Sequence, residues 1–288
     1  MNPNVASFLH APTGTYTHVV SCPVTRRAAI IDSVQDYDAP SGTLSTKSAD
    51  AVIAHARAHD LKVDWLLETH IHADHLSAAP YLKHVLGGQV GVGAKIGSVQ
   101  DTWNGRFNLP EPLRTQPGLF DHLFTDNEPI PLGEVAGRAL DTPGHTAMDV
   151  TYLFGDAAFI GDTLFAPDYG VARTDFPGGK AETLYHSIVR ILALPENTRL
   201  FLCHDYLPAD GSRGERRPET SIAGQRGNLM WKDYPDEASF AAMRRERDKP
   251  LTPPVLLFPS LQVNIRAGEA PPPEANGVAY LKIPLRRG

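Results

Sequence analysis

Cysteine is almost missing from this chain: Cys22 and Cys203 are the two thiols among 288 residues. Two cysteines cannot build the disulfide framework of a small secreted protein, and a chain of this length can bury a core without one. A reducing, cytoplasmic setting is therefore expected. No stretch of about 18 apolar residues is present, so no membrane-spanning helix is expected. The first nine residues carry no basic segment followed by an apolar one, so no leader peptide is expected. Basic tracts are absent too. The net charge is −6, and the run Arg244-Arg245-Glu246-Arg247 is broken by acid and reads as a solvated helix face. Nucleic acid is set aside as a partner on that ground.

What is present is globular: 42% hydrophobic and 21% charged residues. Short β-branched runs alternate with longer helical patterns. Strands are expected over 16–21, 28–32, 63–69, 139–141, 150–154, 157–160, 199–203 and 278–284, with a hairpin turn at Gly155-Asp156. Helices are expected over 49–59 with Ser48 as its cap, 74–86 ending at Gly87-Gly88, 95–103, 181–194, 219–230 and 237–248. There is no repeat of 20–50 residues and no long linker. The expectation is one domain over 1–288, with an insertion at 91–131 and a C-terminal extension at 207–288. Strand–helix alternation in both halves suggests two sheets flanked by helices.

The chemistry is concentrated in His70-Ile71-His72-Ala73-Asp74-His75, which places four ligand-type side chains at the end of an apolar strand. Imidazole and carboxylate suit Zn²⁺ or Fe²⁺. Three later segments repeat the pattern of a ligand following an apolar strand. They are Pro143-Gly144-His145, Gly161-Asp162-Thr163 and Cys203-His204-Asp205. Each is weak alone; in this order they could converge on one sheet edge. Cys203 itself reads as a core residue.

These motifs resemble those of the metallo-β-lactamase superfamily. The resemblance implies an α/β fold, a four-layer αββα sandwich with metal at one edge. By position it puts His70, His72 and His145 in a first metal site, and Asp74, His75 and His204 in a second. Asp162 is the residue able to bridge them. Two branches share these ligands: glyoxalase II-like thioesterases with two metals, and persulfide dioxygenases with one Fe(II). The segments Ala172-Arg173-Thr174-Asp175-Phe176, Leu184-Tyr185-His186-Ser187, His204-Asp205-Tyr206, Gln225-Arg226-Gly227-Asn228 and Val263-Asn264-Ile265-Arg266-Ala267-Gly268 look like the second branch. One departure is Val171, where that branch often has cysteine.

The resemblance then implies oxidation of glutathione persulfide by O₂ to sulfite and glutathione. One Fe(II) would be held by His70, His145 and Asp162, the facial triad of non-haem iron oxygenases. His72, Asp74, His75 and His204 would orient those ligands or hold a second metal. His72, Asp74, His75 and Tyr206 are the further catalytic candidates. Arg173, Tyr206 and Arg226 are the candidates for substrate binding, with Arg226 placed on a substrate carboxylate and Arg173 read foremost as a partner of Asp175. Trp103, Phe107 and the Asn104-Gly105 turn are read either as a cap on the pocket or, with the rest of the insertion, as a dimer contact. A homodimer is expected. The alternative is a two-zinc hydrolase of glutathione thioesters or lactones.

Overall fold

Period-two patterning decides how the strands face, because successive side chains point to opposite sides of a sheet. In Val19-Val20, Ile30-Ile31 and Leu66-Leu67 both neighbours are buried, the first under helices and the second between two sheets. The computed structural model describes residues 1–116, 118–208 and 210–285. Its first half runs β1 (Asn4–His10), β2 (Thr15–Ser21), β3 (Arg27–Ile31), β4 (Val34–Asp38), β5 (Thr43–Ser45), α1 (Lys47–Ala58), β6 (Lys62–Leu67), β7 (Leu76–Ser77), α2 (Ala79–Leu86), β8 (Gln89–Gly93), α3 (Ile96–Phe107) and β9 (His122–Phe124). The second runs β10 (Pro129–Leu132), β11 (Val135–Asp141), β12 (Val150–Phe154), β13 (Ala157–Phe159), α4 (Ala181–Leu192), β14 (Arg199–Phe201), β15 (Glu219–Ser221), α5 (Ile222–Gln225), α6 (Glu237–Asp248) and α7 (Leu257–Asn264).

Two six-stranded sheets result, ordered β1-β2-β3-β6-β8-β9 and β10-β11-β12-β13-β14-β15. Val20, Ile31, Leu67 and Phe124 of the first meet Ile130, Tyr152, Phe154, Phe159 and Phe201 of the second. α1 and α2 cover the outer face of the first sheet through Val52, Ile53 and Leu82. α4 and α6 cover the second through Leu184, Ile188 and Phe240. The four layers are therefore helix, sheet, sheet, helix, and the α/β sandwich expectation holds.

Several expected elements differ, each for a visible reason. The helix expected over 74–86 starts at Ala79, because Leu76-Ser77 pair with Val34 and Gln35 and Pro80 fits only a first turn. Ser48 does not cap α1; its hydroxyl and N–H bond Asp36 instead. The helix expected over 219–230 opens as β15, paired with β14, and only Ile222–Gln225 is helical. Residues 278–284 form no strand. The unexpected β1 pairs with β2 along its whole length. The stretch 91–131 supplies the end of β8, helix α3 and the edge strand β9 of the first sheet. Among the described residues no helix is long and apolar enough to cross a membrane.

Candidate metal centre

Four loops reach the same sandwich edge: those after β6, β11, β13 and β14. They carry His70 to His75, His145, Asp162 and His204 respectively. Two glycines make the close approaches possible. Gly144 has φ +144°, and a Cβ there would stand 2.4 Å from the Leu184 backbone. The loop can thus lie against α4, whose Lys180 N–H bonds the Gly144 carbonyl at 2.9 Å. Gly161 has φ +53°, and a Cβ there would stand 2.8 Å from Thr69 Oγ1. Such contacts leave no room for a side chain beside either ligand.

One ligand atom each from His70, His145 and Asp162 lies within 4.8 Å of the others, and the same holds for His72, Asp74 and His75. His70 Nε2 is 3.9 Å and His145 Nε2 3.6 Å from Asp162 Oδ2. His204 Nε2 is 3.5 Å from Asp162 Oδ1 and 3.4 Å from Asp74 Oδ2.

The outer nitrogens determine which lone pairs face inwards. Thr69 Oγ1 donates to Asp32 Oδ2 at 2.8 Å, so it accepts from His70 Nδ1 at 3.0 Å. His145 Nδ1 donates to the Arg173 carbonyl at 2.8 Å. His72 Nε2 donates to Asp32 Oδ1 at 3.0 Å. Thr15 Oγ1 sits 3.3 Å from His204 Nδ1 and 3.5 Å from His75 Nδ1. Each ring thus keeps its other nitrogen for the centre, the usual arrangement of a metal-bound histidine. His72 Nδ1, His75 Nε2, His204 Nε2 and Asp162 Oδ1 are buried with no hydrogen-bond partner among the described residues. Buried polar atoms are rarely left so, and this donor set fits a divalent cation of the zinc or iron type.

Protonation follows from the packing. Burial, aided by His72 and His145, holds His70 well below the usual imidazole value, and burial lowers His75 as well. Burial would raise Asp74, but His204 and His75 keep it well below the usual carboxylate range. Burial also opposes charge on His72, yet Asp32 and Glu68 beside it raise its pKa. The backbone is clamped too. Asn264 Nδ2 donates to the carbonyls of His72 and His75 at 2.9 and 2.8 Å, and Asn264 Oδ1 accepts from Ser77 N–H at 2.8 Å.

A cavity of about 660 Å³ opens over His70, His145, Asp162 and Asp74, walled by Phe165, Tyr169, Phe176 and Met230. Tyr206 lines it, its ring parallel to that of His204 with centroids 5.3 Å apart. Burial and the Asp162 and Asp74 carboxylates raise the Tyr206 phenol, which therefore stays a neutral donor. Arg173 also reaches the cavity, but Asp175 holds it bidentately at 2.6 and 2.7 Å. Arg226 is not brought there: it is exposed and paired with Glu196 on the surface. Trp103 and Phe107 do not cap this cavity. They are buried and stacked on each other in the core beneath α3. Asp32 and Thr15 lie outside the sequence motifs, and Asn264 falls within one of them, residues 263–268, without a role assigned to it. Asp32 had a signal, an acid closing the apolar run Ala28-Ala29-Ile30-Ile31.

A double sheet sandwich with a five-histidine, two-aspartate edge defines a class of metal-dependent enzymes. Its sequence pattern, the Metallo-beta-lactamase superfamily, matches residues 11–204. The chain belongs to that superfamily, in the branch that holds persulfide dioxygenases and glyoxalase II-like proteins. It is 46% identical to a beta-lactamase hydrolase-like protein of Xylella fastidiosa, over 98% of this chain and 65% of that protein. The chain therefore spans about two thirds of that relative's length. It is 48% identical to glyoxylase B2 of Dictyostelium discoideum, over 91% of this chain and 89% of that protein. Identity to the mitochondrial persulfide dioxygenase ETHE1 of Bos taurus is 31%, over 67% and 64%. The crystal structure of ETHE1 from Myxococcus xanthus superposes with a TM-score of 0.73 at 25% identity, over 92% of this chain and 100% of that one.

Proposed function

We propose that this chain is a persulfide dioxygenase, oxidising glutathione persulfide with O₂ and water to glutathione, sulfite and two protons. The reading is carried by the triad His70, His145 and Asp162, two imidazoles and a carboxylate on the floor of a cavity walled in part by Phe165, Val171, Phe176 and Met230. The likeness to ETHE1 supports it over most of the chain. His70, His145 and Asp162 would hold an Fe(II), which would supply the electron transfer that O₂ needs.

The chain's own residues do the rest. Thr69 and the Arg173 carbonyl fix the tautomers of His70 and His145. Phe165, Val171, Phe176 and Met230 exclude water from beside the sulfur. Tyr206, stacked on His204, offers a neutral phenol to the cavity. His72, Asp74, His75 and His204 hold the ligands in place by packing and charge.

A second reading, a two-zinc hydrolase of glutathione thioesters, is favoured by the inward-facing His72 Nδ1, His75 Nε2 and His204 Nε2. These suffice for another cation, and the relatives at 44–48% identity carry hydrolase or glyoxylase names. Metal content and an oxygen-electrode assay on glutathione persulfide separate the two. The dioxygenase gives one iron per chain and equal amounts of O₂ consumed and sulfite formed. Fully active protein with two zinc ions, splitting thioesters without O₂ uptake, would replace it.

A further inference from the structure

Three arginines line the cavity over the metal centre: Arg173, Arg244 and Arg247. Asp175 neutralises Arg173 bidentately. Arg244 is buried and bound to Asp248 at 2.7 and 3.1 Å. Arg247 differs: it is exposed in the last turn of α6 and has no ion pair or hydrogen bond among the described residues. Arg244 and Arg247 are three residues apart, so they share a helix face. The Arg244–Asp248 clamp, which also ties Asp248 to Thr174, anchors that face over the cavity. Burial and the Asp162 carboxylate raise Tyr169, while Arg244 and Arg247 pull it down. One tyrosine thus feels both the metal-ligand end of the cavity and its cationic mouth.

A guanidinium with no acid of its own, at the mouth of a cavity of about 660 Å³, calls for an anion brought by the ligand. A planar carboxylate is the best match, because it accepts two parallel N–H bonds. The cavity is also within the size range of small-molecule sites. We infer that Arg247 holds a carboxylate of the substrate thiol, while its sulfur reaches His70, His145 and Asp162. The ligand class is a small acidic thiol of tripeptide length. The assignment rests on the glutathione reading above, and it takes the place of Arg226, which faces away.

Calorimetric binding of S-methylglutathione to the metal-loaded protein tests it, since this probe carries the carboxylates but can be neither oxidised as a persulfide nor hydrolysed as a thioester. Arg247→Gln is expected to weaken binding about tenfold to hundredfold, the range for losing a charged hydrogen-bond partner. Arg247→Lys should fall between. Lys249→Gln, which removes a nearby exposed charge paired with Glu246, should change nothing. The dimethyl ester of the probe should bind both wild type and Arg247→Gln equally weakly. Equal binding of the acid by wild type and Arg247→Gln overturns the assignment, as does an equal loss in Lys249→Gln or a wild type that does not bind the probe. Binding through Arg247 without O₂ uptake on glutathione persulfide would remove the dioxygenase and keep the carboxylate site.

Discussion

Replacing Asn264 with alanine should loosen the metal loop without touching a ligand. The Asn264 side chain is buried and makes three bonds to that loop, to the carbonyls of His72 and His75 and from the N–H of Ser77, at 2.8–2.9 Å. Alanine leaves two carbonyls and one N–H without these partners. Each orphaned buried group costs about 1–3 kcal/mol, and neighbouring losses do not add fully, so the metal-free protein should lose about 3–5 kcal/mol. The same loosening should raise the metal dissociation constant about 10- to 100-fold, the usual effect of removing a group that orients a ligand. Urea unfolding of the metal-free protein measures the first, and competition with a chromophoric chelator the second. Gln262→Ala is the control. Gln262 sits on the same helix with bonds to Phe258 and Lys282, so it ties down the tail and not the loop. Its loss should cost stability and leave metal affinity alone. Unchanged affinity in Asn264→Ala, or an equal change in Gln262→Ala, would refute the positioning role.

Two further outcomes follow from the packing. His18 is fully buried, bonded to Ser7 Oγ through Nδ1 and to the Leu202 carbonyl through Nε2, and burial lowers it from 6.5 to about 4. The unfolded chain therefore binds a proton below about pH 6.5 that the folded chain refuses until about pH 4. The neutral ring's stability is fully present above pH 6.5 and lost as pH falls through this window, about 3 kcal/mol in all. His18→Gln should flatten that part of the curve in unfolding titrations; identical curves would exclude His18 as its source. Gly144→Ala should cost about 2–4 kcal/mol and abolish tight metal binding, because the new methyl meets the Leu184 backbone at 2.4 Å. Gly97→Ala, on α3 with open space around its Cβ position, should be neutral or slightly stabilising by the same denaturant assay.

Much of the sandwich was legible because its strands carry continuous apolar runs and its ligands stand directly after them. His70, His72, Asp74, His75, His145, Asp162 and His204 are chemically conspicuous, and a strand end is the same signal each time. The misread elements are those where a distant partner overrides local pattern. Leu76-Ser77 look like a helix start until Val34-Gln35 pairs with them. Glu219–Ser221 fit a helix until β14 claims them. β1 is polar enough to pass for a tail, and its register with β2 is what makes it a strand.

Position along the chain also hid the supports of the site. Asn264 lies 192 residues beyond His72, and nothing in the spacing ties one to the other. The arginine expected on the substrate, Arg226, sits in a conspicuous motif, yet Glu196 already occupies it. In isolation Arg244-Arg245-Glu246-Arg247 reads as a solvated face, Arg247 included. On the folded chain the same run divides by helical geometry. Arg245 pairs outward with Glu182, Arg244 clamps Asp248 within, and Arg247 is left at the cavity mouth. Residues past 207 therefore supply both a clamp on the metal loop and Arg247 at the cavity mouth. The ligand motif alone serves hydrolases and oxygenases alike, so what approaches the metal depends on the cavity walls, to which this later part adds Leu229, Met230, Arg244 and Arg247 beside Phe165, Tyr169 and Phe176.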